Sequence, residues 1–251
     1  MHHKIHLHAK GATRWLDADP TPVQTGDLTA MLDTVPPGPV TIAADTDIGQ
    51  DHVALPVAIA DLKPRPQVLA SGDEAVIWPA LIQADPPTYL ANSAPLAGFA
   101  KLSPDYDGVL CIVTHQTIWL RISAGEACHA LVDRTRHLCA NGCECPPSDA
   151  MRDGFDKTNG RSSRLGAEIA QLDAMDILSP GAPTNDHRLG LALGAEFASA
   201  KAYWLGQHVT LLADGDLMPA YSSMLNHVGA LVSELSLRQA VFAGLSVGHE
   251  L

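Results

Sequence analysis

Apolar and polar positions change their period along the chain, and each change predicts an element. Near the start Ile5 and Leu7 alternate with His6 and His8, Gly11 falls at a bend, and Trp15 and Leu16 follow. That is a strand–turn–strand pattern. The stretch PTPVQTGDLTAMLDTVPPGP predicts a short helix. Thr25 or Asp27 would cap it, Leu28, Met31 and Leu32 would form its apolar face, and Pro36, Pro37 and Pro39 would stop it. Apolar runs from Val40 (VTIAADTD), Val53 (VALPVAI) and Ala75 (AVIWPALI) read as strands.

Lys101 to Asp107 (KLSPDYD) is polar and turn-rich, and we expect a boundary there between residues 1–104 and 105–251. After it, GVLCIVTH and TIWLRIS predict a hairpin or two consecutive strands. Glu126 to Ala140 predicts a helix, with Ala127, Ala130, Leu131 and Leu138 on related faces. SDAMRDGF and SRLGAEIAQLDAM predict two more, with Ser148 and Ser163 as N-caps, the second resembling a capping box. The strongest helical pattern is HRLGLALGAEFASAKAYWLG. Its small residues (Gly190, Ala192, Gly194, Ala195, Ala198, Ala200) let another element approach closely, and Gly206 ends it. Then come a strand into a glycine turn (VTLLADGD), a helix (LMPAYSSMLNHVG), a strand (ALVSEL) and a closing helix (LRQAVFAGLSVGH). Alternation of this kind is the signature of an α/β fold.

Composition narrows the function. A hydrophobic content of 46% over 251 residues suffices for one large core or two small ones. Charged residues or proline interrupt each apolar run short of a membrane span, and MHHKIHLHAK does not read as a leader, so we expect a cytoplasmic protein with no membrane partner. A net charge of −12 repels phosphate backbones and argues against nucleic acid as a partner, but not against a small anion.

Candidate chemistry is sparse. The five cysteines are Cys111, Cys128, Cys139, Cys143 and Cys145, an odd count that argues against a disulfide framework. His137, Cys139, Cys143 and Cys145 carry zinc-ligand chemistry without the usual Cys-x2-Cys spacing, so a metal site and reduced thiols are both open. His2, His3, His6 and His8 read as a chelating group or as a frayed terminus. Asp45, Asp47 and Asp51 follow a buried strand, as an oxygen-rich magnesium or calcium site or as a solvated turn. Arg121, Arg134 and Arg136 suit a carboxylate or plain solvation. Asp214-Gly215-Asp216 is a turn in which Gly215 has a backbone reason. Phosphate-loop, dinucleotide and nucleophile-elbow motifs are absent from the sequence.

Several of these segments together resemble the 2-dehydro-3-deoxygalactonokinase family. HRLGLALGAEFASAKAYW looks like its GLLIGAE-type helix, with Gly190, Gly194, Ala195 and Glu196 in place. HVTLLADGDLMPAYSSML is similar to the strand, glycine turn and helix that lie against the adenosine of ATP. SDAMRDGFDK, LGAEIAQLDAMDIL and QAVFAGLSVGH resemble neighbouring helices. GVLCIVTHQTIWLRISAGE looks like the strand pair around its PGTHSKW motif, DPPTYLANSAPLAGF occupies the place of its RGEETQ segment, and TIAADTDIGQD that of its GM-x-GS segment. The likeness runs from Val40 to Leu251 and is most specific in the last third.

The resemblance implies an α/β, two-lobed actin-like ATPase fold with a reduced N-terminal lobe. Residues 1–104 would form the sugar-acid side and residues 105–251 the nucleotide side. It implies ATP and magnesium, a sugar-acid substrate, nucleotide contacts from Thr114, His115, Glu196, Asp214, Gly215 and Asp216, and metal contacts from Asp45 and Asp47. Phosphate-handling residues depart from the pattern. IHLHAKGATRW replaces the Asp-Trp-Gly turn, so His8 stands where magnesium needs oxygen. Aligned on Trp119, Thr114 replaces a glycine and Ile118 replaces the lysine; Ala91, Ser93 and Ala94 stand among the residues that replace RGEETQ. Three functions follow as expectations: a sugar-acid kinase, an inactive relative that binds or regulates, and a metal-binding protein built on the cysteine cluster.

Overall fold

The computed structural model describes residues 2–8, 11–16, 19–27, 31, 39–69, 74–135, 147–179, 184–215 and 217–247. The strands are β1 (His3–His8), β2 (Gly11–Leu16), β3 (Gln24–Gly26), β4 (Val40–Ala44), β5 (His52–Ala54), β6 (Val57–Ala58), β7 (Arg65–Val68), β8 (Glu74–Ile77), β9 (Ala80–Gln83), β10 (Thr88–Leu90), β11 (Gly108–Val113), β12 (Thr117–Ser123), β13 (Glu126–Asp133), β14 (His208–Ala213) and β15 (Leu231–Ser236). The helices are α1 (Ala94–Leu102), α2 (Asp149–Asn159), α3 (Leu165–Leu178), α4 (Asn185–Ser199), α5 (Lys201–Trp204), α6 (Leu217–His227) and α7 (Leu237–Val247). They fall into two compact units. Unit one holds Met1–Asp107, Leu120–Val132 and Leu235–Leu251; unit two holds Gly108–Trp119 and Asp133–Glu234.

Unit one is built on a sheet of order β3-β2-β1-β4-β8-β7. β1 pairs antiparallel with β2 and parallel with β4, and β4 runs parallel to β8. Ile5, Leu7, Ile42, Ala44, Ala75 and Ile77 form one core beneath it with Met31. The histidine-rich segment is therefore no frayed end, and that expectation is corrected: two neighbouring strands bury His2, His3 and His6. Lys4 is 1% exposed, its Nζ donating to Ser246 Oγ at 3.0 Å and lying 4.7 Å from the centre of the Phe242 ring. Both groups sit on α7, which packs on β1.

Two apolar runs break where proline cannot donate to a ladder. VALPVAI divides at Pro56 into β5, β6 and a short 3-10 turn, and AVIWPALI divides at Pro79 into β8 and β9. The α1 helix packs on α7 with almost no space: a Cβ on Gly98 would lie 1.9 Å from Ala240 O, and one on Gly244 would lie 2.0 Å from Ala94 O.

The helix expected from Glu126 to Ala140 is a strand through Asp133. Ala124 and Gly125 make a tight turn at φ 50 and 78, and the chain doubles back. Ala127 and Ala130 point inward, and the Gln83 side chain both donates to Ala130 O and accepts from Ala130 N. Pairing and burial override alanine's helical preference here. Residues 136–146 lie outside the described part, so the cysteine cluster with His137 and Arg136 does too.

In unit two the strand order is β15-β14-β11-β12, with β11 parallel to β14. The α4 helix packs against α2 as its small residues foretold: a Cβ on Gly190 would lie 2.0 Å from Met151 O and one on Gly194 would lie 2.3 Å from Phe155 O. Thr158 Oγ1 donates to Leu191 O across this contact at 2.7 Å. Ser148 caps α2 by accepting from Met151 N, as expected. Ser163 does not cap α3; it lies inside a 3-10 turn, Ser162–Arg164, that leads into the helix.

Candidate functional site

Each unit presents the carboxyl ends of parallel strands, the usual position for ligands in α/β sheets. In unit one, β1, β4 and β8 end together. Asp45 follows β4, its N–H donating to Leu7 O at 2.9 Å, and Trp78 follows β8, its N–H donating to Ile42 O at 3.0 Å. Asp45 is buried, and its Oδ1 accepts from His6 Nε2 and from Asn92 Nδ2, each at 3.0 Å. Asn92 Oδ1 in turn accepts from Ala94 N at 3.0 Å, so the same chain opens α1. His8, beside His6 with ring centres 5.5 Å apart, bonds Thr13 Oγ1.

The loop from Thr46 to Asp51 is tied down by Gln50. Its Oε1 accepts from Ile48 N, and its Nε2 donates to Thr46 O, Tyr89 OH and Ala91 O. Asp47 Oδ1 accepts from Gly49 N. Burial pushes the Tyr89 phenol up to about 12, and the Asp47 carboxylate adds to the shift. The Trp78 indole N–H has no hydrogen-bond partner among the described residues, although Trp78 is 0% exposed. An unpaired buried donor costs roughly 1–3 kcal/mol.

As magnesium ligands these groups fit poorly. Asp45 Oδ1 already accepts twice, Asp51 pairs with Arg65, and among the described residues no three His, Cys, Asp or Glu side chains gather at one point. Cys111 and Cys128 are free thiols.

In unit two the edge of β11 and β14 brings four of the expected nucleotide residues together. The register Ile112↔Leu212 carries Thr114 and His115 to the level of Asp214 and Gly215. Thr114 closes its turn by donating from N and Oγ1 to Gln116 O. Gly215 has φ +63, and a Cβ placed on it would meet nothing within 4 Å, so its glycine serves backbone conformation rather than close approach. Asp216 lies outside the described residues. Ile118 is 6% exposed in β12.

Glu196 is apart from that edge, 1% exposed beneath it. One carboxylate oxygen accepts from Trp119 Nε1 and the other from Tyr221 OH, both at 2.9 Å. Tyr221 also bonds Thr117 Oγ1 at 2.6 Å. Burial pushes the Glu196 carboxyl up to about 7, Asp133 adds to the rise, and donors from Thr135, Tyr221 and Trp119 oppose it. Burial likewise pushes Tyr221 and Cys111 well above their ordinary values.

The His6–Asp45–Asn92 chain and Trp78 were not singled out as a group in the sequence. Their members are 39 and 47 residues apart, and no local spacing announces them.

A family model for 2-keto-3-deoxy-galactonokinase matches residues 49–247. The chain belongs to that family. Its fold is also that of a candidate 2-dehydro-3-deoxygalactonokinase from Sinorhizobium meliloti, known as a crystal structure. The two superpose with a TM-score of 0.81 at 18% identity, covering 100% of this chain and 98% of the other. No curated protein matches the chain. Among 2-keto-3-deoxy-galactonokinase family members, this one carries a mixed α/β fold with parallel strand ends in both units.

Proposed function

We propose that this chain is a cytoplasmic, ATP-dependent kinase of a 2-keto-3-deoxy sugar acid on an actin-like ATPase plan. Residues 1–104 serve as the sugar-acid side and residues 105–251 as the nucleotide side. Family membership supports the reaction class. The observation that carries the site is Asp45, a buried carboxylate at a strand end held by His6 and Asn92. A carboxylate in that position accepts a hydrogen bond from a sugar hydroxyl, which orients it for in-line transfer. Thr114, His115, Asp214 and Gly215 offer turn backbone and polar side chains to the nucleotide. Phosphoryl transfer depends on positioning and charge neutralisation more than on covalent chemistry. Magnesium would arrive with the ATP phosphates and neutralise their charge.

One observation favours a second reading, binding without turnover. Ile118, aligned with the family's lysine, is buried in β12. No ammonium then stands at that point to neutralise phosphate charge. Titration calorimetry with MgATP and then the sugar acid, together with coupled ADP release, separates the readings. Turnover of about 1–100 per second supports the kinase. Saturable binding of both ligands with no ADP release supports the binding protein, and absence of any binding overturns both.

A further inference from the structure

The hydrogen-bond chain beneath the β11–β14 edge has a direction. The Trp119 indole can only donate, and it donates to Glu196 Oε1; Tyr221 gives its single proton to Glu196 Oε2. The Tyr221 oxygen is then left to accept. In the 2.6 Å bond between Thr117 Oγ1 and Tyr221 OH the threonine is therefore the donor. Glu196 thus decides how Thr117 is turned, although Tyr221 stands between them. Thr117, Glu196 and Tyr221 are each 1% exposed, so solvent supplies no substitute partner.

Each end of the Thr117–Tyr221 bond belongs to one of the two turns at the edge. Thr117 opens β12 directly after Gln116, whose carbonyl oxygen accepts from Thr114 N at 2.8 Å and from Thr114 Oγ1 at 3.1 Å. Tyr221 lies one turn into α6, the helix that leaves the Asp214–Gly215 turn. Met218 N donates to Gly215 O at 3.3 Å where turn and helix join. Ladder bonds hold β11 and β14 in register as far as Ile112 and Leu212. Past that point the Thr117–Tyr221 bond ties together the segments that continue from the two turns.

We infer that Glu196 is a positioning residue: acting through Tyr221 and Thr117, it fixes the Thr114–Gln116 turn against the Asp214–Gly215 turn. The role rests on those turns holding the nucleotide, as proposed. A carboxylate suits it because its two oxygens accept from two donors at once, whereas an amide offers one acceptor oxygen. A tie that is complete without ligand leaves less ordering to be done when the nucleotide binds.

Titration calorimetry of the full chain with MgATP at about pH 8, where the Glu196 carboxyl, titrating at about 7, is largely ionised, tests this. Thr117→Val, Tyr221→Phe and Glu196→Gln are each expected to weaken binding about fivefold, the equivalent of one net hydrogen bond. Combining Thr117→Val with Tyr221→Phe is expected to add nothing further, because both cut the same link. Thr117→Ser keeps the hydroxyl and is expected to bind as the wild type does. Thr158→Val is the control. It also deletes a buried threonine hydroxyl of unit two, one that donates to Leu191 O at 2.7 Å, and is expected to leave the affinity unchanged. Wild-type affinity in Thr117→Val or in Glu196→Gln overturns the inference. So does a loss in Thr158→Val or Thr117→Ser equal to that in Thr117→Val. Both outcomes leave the nucleotide on this edge. Absence of MgATP binding by the wild type overturns the nucleotide assignment of the edge itself, and the positioning role with it.

Discussion

The Tyr221 hydroxyl donates to Glu196 Oε2 at 2.9 Å inside unit two, where neither group meets water. Trp119 and Thr117 complete the same buried chain. Three hydrogen-bond donors favour the ionised acid, but burial outweighs them, and the carboxyl titrates at about 7.

That shift has a sign. A carboxyl raised from 4.5 to about 7 on folding binds its proton more tightly in the native state. Its contribution to stability is fully present below about pH 4.5 and is lost as pH rises through 7. The urea midpoint should therefore fall between about pH 5 and 8 in the wild type, and Glu196→Gln should remove most of that slope. Equal slopes in both proteins would contradict it.

Tyr221→Phe removes the donor to Glu196 and the partner of Thr117 while keeping the ring that packs on Phe197. Equilibrium unfolding should show a loss of about 1–3 kcal/mol, the cost of leaving buried polar groups short of a partner.

Glycines on the helices should divide by their surroundings. Gly190→Ala forces a Cβ to 2.0 Å from Met151 O, so α2 and α4 must separate, and a loss of about 1–3 kcal/mol or more is expected. Gly166→Ala meets nothing within 4 Å on an outward helix face and should stabilise by about 0.5 kcal/mol. Thermal denaturation of the two variants side by side checks both signs.

Asn92→Ala cuts the link from Asp45 to the start of α1. A stability loss of about 1–2 kcal/mol is expected, as for a lost helix cap with a buried bond. Calorimetry should show sugar-acid affinity falling more than MgATP affinity. The reverse order would move the sugar acid away from the strand ends of unit one.

Much of the fold was legible because it is local. The α4 helix announced itself by period, its small residues by the close contact they allow, and Ser148 by its place before α2. The two proline breaks were present as residues, yet VALPVAI and AVIWPALI read as continuous because apolar content outweighed them. The failure at Glu126–Asp133 had a different source. Alanine spacing suits a helix, and pairing with β12 on one side and β6 on the other, with Gln83 more than 40 residues away, makes it a strand.

The sequence by itself determined which segments are helices and strands over most of the chain, the α/β class, and the family through the GAE-type helix and the glycine turn at Gly215. These rest on periodicity and on backbone conformations that single residues impose. Tertiary structure decided what those segments are for. It buried the histidines of β1 between two strands and joined His6, Asp45 and Asn92. It enclosed Glu196 among Trp119, Tyr221 and Thr117. Burial and hydrogen bonding between residues distant in the chain depend on how sheets and helices stack, and no local pattern carries that information.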